Sequence, residues 1–577
     1  MFRIFQSFAP FQNPLGFGAS DFLELALAVM LVVAALAWRS WIEPLGARLA
    51  QRTGWCIVML AALPVVLRLA LLPHHPVPSP EIYDEFGHLL VADTLRHWRL
   101  ANPPHSLHQF FETLFVLQDP SYSSIYPIGQ GIMLALGWMI LGHPWAGVLL
   151  SVAAFSALSY WMLRAWTTPA WALAGGMLAV IQFGPLNAWM NSYWGGAVSA
   201  SAGCLVFGSL PRLREGIRRN GVWLGFGLGL QLLARPFEFV LLSAGVLLYF
   251  LPVLRRREEL RRLARIAPLA MLALAPAIGL TLLHNRQVTG SWTTLPYLLS
   301  RYQYGVPATF TVQPNPAPHR ELTQTQQLIY SMQTGFHGRG TDTIASYFGR
   351  LEYRVRFYRF FFFAPLYIAL AAFLAALREF RFVWVVLTLL IFAIGGNFYP
   401  FFFPHYIAAV TSLLLLAGVT GLEWISRLAI RGWPVGREAA LLIIFLCAAQ
   451  FAFWYGLHIF DTAEFSVALR QYETWDAINH RNPEERIAFN SQLAQTPGQQ
   501  LVFVRYWPHH PVQEEWVFNA ADIDGARVVW ALDLGPIENE KLRRYYPGRT
   551  AWRLEPDAHP PKLSPYQPEP LLNIEGP

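Results

Sequence analysis

The chain has 577 residues, 54% hydrophobic and only 14% charged, with a formal net charge of +7. A soluble domain carries about a quarter charged residues, so an ordinary water-soluble globule is excluded. The apolar runs are continuous rather than alternating, so a membrane β-barrel is excluded too.

The composition and the recurring apolar runs predict an all-α polytopic membrane protein followed by a small α/β extramembrane domain. The opening stretch MFRIFQSFAPFQNPLGFGAS lacks a basic region followed by an apolar core, so no cleaved signal peptide is expected. The first spans are Phe22–Trp38 and Cys56–Pro73, and the arginines between them (Arg39, Arg48, Arg52) place that loop in the cytoplasm. Further spans are expected at Ala146–Trp166, Ala170–Pro185, Trp194–Leu210, Gly221–Ala234, Glu238–Leu254 and Ala267–His284, then at Phe361–Leu377, Phe382–Tyr399, Phe403–Ile425 and Ala439–His458. The clusters PRLREGIRR, RRREELRRLAR, REFR and SRLAIRGWPVGR should all be cytoplasmic. That parity holds only if Tyr126–Leu141 fails to cross; YPIGQG opens it and GHPW closes it, so a re-entrant or interface-lying helix is expected there. The count is then about twelve spans with both ends outside.

The domain reading is an extra N-terminal span with its loop (1–55), a transmembrane catalytic domain (56–458) with outer loops 74–142 and 285–360, and an outer α/β domain with a proline-rich tail (459–577). In the last part QLVFVRYWP, ARVVWALDLG and TAWRLEP read as strands, while TAEFSVALRQYETWDAI and ENEKLRRYY read as helices. No internal repeat of the inverted-transporter kind is visible. Cys56, Cys204 and Cys447 lie within apolar runs and form no CxxC, which argues against disulfides and structural zinc. The basic excess, in which only Lys541 and Lys562 are lysines, falls between apolar runs; it encodes topology and not nucleic-acid binding.

Chemistry-bearing residues gather on the outer face. YDEFGHLLVADTLRHW places Asp84 and Glu85 at the start of an amphipathic helix whose stripe is Phe86, Leu89, Leu90 and Leu95; that helix is expected to lie on the membrane surface. Three readings stand side by side. The carboxylates cap the helix; or one is a general base at the lipid boundary; or Asp84, Glu85 and His88 hold a hard divalent cation. In LLARPFEFV, Arg235 and Glu238 either pair with each other or offer a guanidinium fork to phosphate. Asn191 and Tyr193 of NAWMNSYWGGA, and His405 with Tyr406 of NFYPFFFPHY, are either interfacial packing or substrate contacts. His337 and Arg339 of GFHGRG are further substrate-binding candidates in the second loop. No P-loop, GxGxxG, GxSxG or HExxH occurs.

With the YDEF pair just after a span, a surface helix, YPIGQG in the position of a proline-rich motif and a second long outer loop, the chain resembles the GT-C superfamily of membrane glycosyltransferases. Within it the likeness is to the branch of protein O-mannosyltransferases and aminoarabinose transferases. The resemblance covers about Cys56 to His458; the extra first span and the missing double proline depart from the usual pattern. It implies an outer-loop acid as base, here Asp84 with Glu85 as second choice, and Arg235 and His405 as counterparts of phosphate-binding residues. It also implies a polyprenyl-phosphate-sugar donor in membrane lipid, an acceptor that is a lipid, polysaccharide or protein, and a periplasm-facing site in a bacterial inner membrane. No cofactor is expected, with a divalent cation at Asp84, Glu85 and His88 as the alternative. The rival class is a transporter or flippase of a lipid-linked or anionic substrate, which would need polar residues in several span interiors. Apart from Arg68, those interiors read as apolar.

Overall fold

The computed structural model describes residues 19–338, 340–429, 431–433, 435–460, 476–478, 483–511 and 513–567. Most of the chain is helical, and it divides into two compact units. One comprises Met1–Pro78, Leu141–Thr281 and Asp342–His480; the other comprises Ser79–Ile140, Leu282–Thr341 and Arg481–Pro577.

The first unit is a helical bundle. A helix occupies each of the expected spans. Among the described residues, six helices are long and apolar enough to cross a membrane: Thr53–Ala70, Pro144–Leu163, Pro236–Val253, Arg257–Thr289, Pro404–Ser426 and Val435–Ile459. A seventh span would come from Ile344–Phe361 with Leu366–Arg378, a pair bent by 116°. Leu25–Ala37, Pro169–Phe183, Asn220–Ala234 and Phe380–Gly396 are apolar but shorter, as is Ile128–Leu141, which belongs almost wholly to the second unit. At about 1.5 Å per residue the last would reach about 21 Å of a core about 30 Å thick, hardly less than Pro169–Phe183 and Asn220–Ala234, which were expected to cross. The bundle core is aromatic. Trp384, fully buried, stacks on Trp166 with centroids 5.6 Å apart and donates its indole N–H to the Gly245 carbonyl.

The second unit is built on a four-stranded sheet of β3 (Gln500–Val504), β4 (Val528–Leu532), β5 (Thr550–Glu555) and β6 (Lys562–Pro565), in the order β4-β3-β5-β6; a two-stranded ribbon, β1 (Val116–Leu117) with β2 (Ser123–Ser124), stands apart. β3 pairs in parallel with β4 and β5, and β6 closes the edge antiparallel. The helix Pro536–Tyr545 makes the crossover from β4 to β5. Side chains alternate across the sheet. Leu501, Phe503, Val529 and Ala531 pack with Leu90, Phe110, Phe111 and Tyr122. Val502, Val504, Trp530 and Leu532 pack with Leu493, Trp516 and Leu554. One sheet face thus recruits the loop 79–140. Hydropathy divides the chain at 458/459, but the contacts cut it differently, placing both outer loops largely with the C-terminal segment. The expected strands and ENEKLRRYY are found as ordered elements. The expected helix TAEFSVALRQYETWDAI falls almost wholly outside the described residues, which include only Asp476–Ile478 of it.

Candidate active site

Tyr83–Arg96 begins after Ile82, whose φ of −96° and ψ of 152° are extended. Glu85, three residues into the helix, turns its carboxylate back to accept the N–H groups of Glu81 (3.1 Å) and Ile82 (3.5 Å). It is 4% exposed. Glu85 therefore serves donors that the helix itself leaves unpaired. Asp84, one residue earlier and about 100° round the helix, is only half-buried and accepts a hydrogen bond from the Tyr126 hydroxyl. YDEF and YPIGQG, far apart in sequence, meet at this bond.

Two glycines make the meeting sterically possible. A Cβ on Gly87 would stand 2.7 Å from the Tyr126 ring, and one on Gly131 would collide with Val91. The Tyr126 ring also packs against His88, with centroids 4.5 Å apart. Asp84, His88, Gly87 and Tyr126 thus form one local constellation.

The helix is not a surface helix, contrary to the expectation from its stripe. Glu85 through Thr94 are all buried. Phe86 meets Phe518 at 4.6 Å and underlies the Arg486 guanidinium at 4.3 Å. Asp93 accepts from Arg96 and from the Ala521 N–H at 2.7 Å. The polar side chains that suggested a wet face are answered by other protein groups. Arg486 also lies over Trp516 and Trp530 and donates to the Glu515 and Trp516 carbonyls. Burial lowers its pKa to about 10 and raises that of Glu515.

The first unit holds a second cluster. Arg235 donates to Glu238 at 3.2 Å and stands over the Tyr406 ring at 4.7 Å. His405 contacts Tyr406 at 4.8 Å and the Trp194 ring at 4.5 Å. Arg235, Glu238, Tyr406 and His405 are therefore brought together. Asn191 and Tyr193 are engaged elsewhere. Asn191 accepts from Arg68 and donates to the carbonyls of Pro185 and Asn187, while the Tyr193 hydroxyl donates to Pro78. Glycine is required beside them: Gly195 and Gly196 have φ of 95° and 125°, and the Trp189 ring covers Gly196. In the second unit His337 is buried against Thr309 and the Phe310 carbonyl. Arg339 lies outside the described residues.

Among the described residues no group of three or more His, Cys, Asp or Glu side chains is placed to hold a metal. Glu85 is directed at backbone N–H groups, so Asp84, Glu85 and His88 do not converge as a cation cage. Sequence reasoning missed Tyr126 as a partner of Asp84, and Arg68 and Arg486 as buried anchors. The signal for Tyr126 was a glycine in each motif, which reads as close approach only once the two are known to pack.

No protein-family model and no curated protein matches the chain. Among solved structures it is similar to ArnT from Cupriavidus metallidurans in the apo state, at 14% identity over 88% of this chain and 93% of that one, with a TM-score of 0.49. It is also similar to ArnT bound to undecaprenyl phosphate, at 14% identity over 87% of this chain and 93% of that one, with a TM-score of 0.48. The apo Archaeoglobus fulgidus oligosaccharyltransferase is similar at 12% identity over 89% of this chain and 70% of that one, with a TM-score of 0.44. Likeness at this level does not bear on chemistry, which rests on the chain's own residues.

Proposed function

We propose that the protein is a GT-C-type membrane glycosyltransferase that moves a sugar from a polyprenyl-phosphate donor to an acceptor hydroxyl, with Asp84 as general base. The observation that carries this reading is the bond from Tyr126 to Asp84: it fixes the one partly exposed carboxylate of the YDEF pair while Glu85 is committed to the helix start. In the reaction the acceptor oxygen attacks the anomeric carbon and the bond from that carbon to phosphate oxygen breaks. Its electron pair leaves with the polyprenyl phosphate, and the hydroxyl proton passes to Asp84. The anomeric centre inverts. Phosphate is a good leaving group, so one base plus cationic stabilisation of the leaving charge suffices. Within the first unit, Arg235, held by Glu238 and Tyr406, is by itself suited to bind a phosphate anion.

A transporter reading is less favoured. The charged residue inside the Thr53–Ala70 helix, Arg68, is fully buried in its last turn and bound to carbonyls and Asn191, so it lines no path.

Asp84→Asn keeps size and the tyrosine contact but removes basicity. Transfer from a purified lipid-linked donor should fall about 10²- to 10⁴-fold with donor binding intact, and Glu85→Gln should cost less activity. Full activity in Asp84→Asn would remove the base from the mechanism. We infer from the arginine clusters a site on the periplasmic side of a bacterial inner membrane; an alkaline phosphatase fusion after Ile459 should be active, and a fluorescent cytoplasmic fusion there would reverse the topology.

A further inference from the structure

The helices Tyr83–Arg96 and Ile128–Leu141 run side by side in the same direction. Gly87 meets the Tyr126 ring just ahead of the second helix, Gly131 meets Val91, and the Arg96 guanidinium lies over the Trp138 ring at 4.3 Å. Their C-terminal ends therefore stand together, about 18 Å along the first helix from Asp84. Burial stops at this end. Glu85 through Thr94 are buried, but His97, Trp98 and Arg99 are exposed. The second helix also exposes an apolar stripe near its end, Leu136, Met139 and Ile140, at i, i+3 and i+4.

Trp98 is the unusual residue. Its N–H donates to the Leu95 carbonyl at 2.9 Å, and the Arg99 N–H donates to the Thr94 carbonyl at 3.1 Å. This pair of bonds is the Schellman ending, in which the residue after the C-cap turns left-handed. Trp98 accordingly has φ of 58°. Glycine is the usual residue at that position, because a Cβ crowds the following carbonyl. Here a tryptophan occupies it, and the residue is 86% exposed. Burial does not compensate the strain, which points to a contact outside the chain.

Charge indicates the partner. No Asp or Glu occurs in 94–111 or in 121–141. Asp93, next to this end, is buried and accepts from Arg96 at 2.7 Å and from the Ala521 N–H. Asp524, just beyond Ala521, is engaged by Tyr546 and His105. Arg96 is partly exposed, and Arg99 stands exposed beside Trp98.

We propose that this end of the helix pair is a binding surface for anionic phospholipid headgroups. Trp98 and the stripe of Leu136, Met139 and Ile140 enter the interfacial layer, and Arg96 and Arg99 meet the phosphates. The surface belongs to the second unit alone and does not depend on which reaction the protein catalyses. A bilayer is at hand, since the first unit carries helices long and apolar enough to span one. Tryptophan favours the boundary between headgroups and acyl chains. Apolar residues at helical spacing suit the same boundary, and guanidinium forks suit phosphate oxygens.

The test uses the full chain in nanodiscs. Cys56, Cys204 and Cys447 are buried, so a fluorophore can be attached selectively to His97→Cys, with the exposed Lys541→Cys as control. Nitroxide-labelled phosphatidylglycerol should quench the probe at 97 more strongly than nitroxide-labelled phosphatidylcholine, and should leave the probe at 541 bright. Arg99→Gln should weaken the phosphatidylglycerol response about fivefold, the worth of one cation at an anionic membrane surface. Trp98→Gly should remove most of the quenching yet raise the unfolding midpoint in detergent, because glycine takes the left-handed turn without strain. An unquenched probe at 97, or quenching by both lipids alike and indifferent to Arg99→Gln, would overturn the proposal. So would a lowered midpoint in Trp98→Gly, which would make the ring a structural part of the unit. Self-quenching between labelled copies, independent of lipid, would make the patch an interface between copies and overturn it as well.

Discussion

Arg68 and Arg235 both belong to the first unit, and their surroundings differ in kind. Arg68 is fully buried and all its nitrogens are engaged: Nε donates to Asn191 at 2.6 Å, Nη1 to the His75 carbonyl at 3.0 Å and Nη2 to the Pro76 carbonyl at 2.9 Å. The Trp145 ring lies 5.0 Å from its guanidinium carbon. The Arg235 side chain is 19% exposed, and among the described residues its one hydrogen-bond partner is Glu238, with the Tyr406 ring beneath it. A guanidinium saturated by carbonyls is a fastener, whereas one with donors left over is available to an anion. The residue type is the same, and the number of uncommitted donors separates the roles.

That difference can be broken experimentally. Arg68→Ala strands the Asn191 oxygen and two carbonyls, each costing about 1–3 kcal/mol when buried without a donor, so the largest stability loss is expected there. Thermal unfolding in detergent should show it, and a variant as stable as the parent would mean water replaces the guanidinium. Arg235→Lys keeps the charge beside Glu238 and loses the fork. It should change stability by no more than about 1 kcal/mol yet weaken binding of a polyprenyl phosphate. Unchanged affinity with lowered stability would make Arg235 a fastener too. The double variant Arg235→Ala/Glu238→Ala measures how much of any loss belongs to the pair itself.

A smaller effect is expected at Gly87. Alanine there meets the Tyr126 ring at 2.7 Å, and overpacking of this kind costs about 1–3 kcal/mol. Because Tyr126 holds Asp84, transfer should fall together with stability. Gly349, in the Ile344–Arg354 helix, has nothing within 4 Å of its added Cβ. Gly349→Ala should be neutral, or stabilising by up to about 1 kcal/mol through helix propensity. Equal behaviour of the two alanines would mean that Tyr126 yields freely and does not orient Asp84.

Helices and strands were legible because their signals are local: long apolar runs for the bundle, and short runs rich in Val, Phe and Trp for β3, β4 and β5. The acidic pair was legible as a place but not as a division of labour. Which carboxylate caps and which faces out depends on helix phase at Ile82, a matter of one residue. The surface-helix expectation for Tyr83–Arg96 failed because a polar stripe looks the same whether water or protein answers it. Here Ala521, Phe518 and Arg486 answer it, some 400 residues later in the chain. Asn191 and Tyr193 were flagged by residue type, yet their partners Arg68 and Pro78 lie 123 and 115 residues away. Local pattern identifies polar residues at the outer ends of spans, and long-range contacts decide whether they are already in use.

The same contrast between engaged and available groups gives a pH dependence in the second unit. His105 is buried, its Nδ1 accepting the Leu107 N–H at 2.9 Å, so the neutral ring carries its proton on Nε2, facing the Tyr546 hydroxyl at 3.1 Å and Asp524 at 3.3 Å. The rings of Phe111 and Tyr545 enclose it. Burial depresses its pKa below the usual 6.5, with Asp524 opposing the shift and His108 adding to it. For a base depressed in the folded state the stability contribution is complete above the unfolded value. It is lost as pH falls below about 6.5 toward the folded value, because the unfolded chain then binds the extra proton. One such group contributes a slope of up to about 1.4 kcal/mol per pH unit. Glu515 acts in the opposite sense: its raised pKa makes stability fall as pH rises above the usual 4.5. The two contributions overlap between those values, so the difference between parent and His105→Asn is the quantity to measure. Unfolding free energies taken from pH 7.5 down to 5 should decline less steeply in His105→Asn than in the parent. Parallel curves would show that His105 titrates in the folded protein as it does in the unfolded chain.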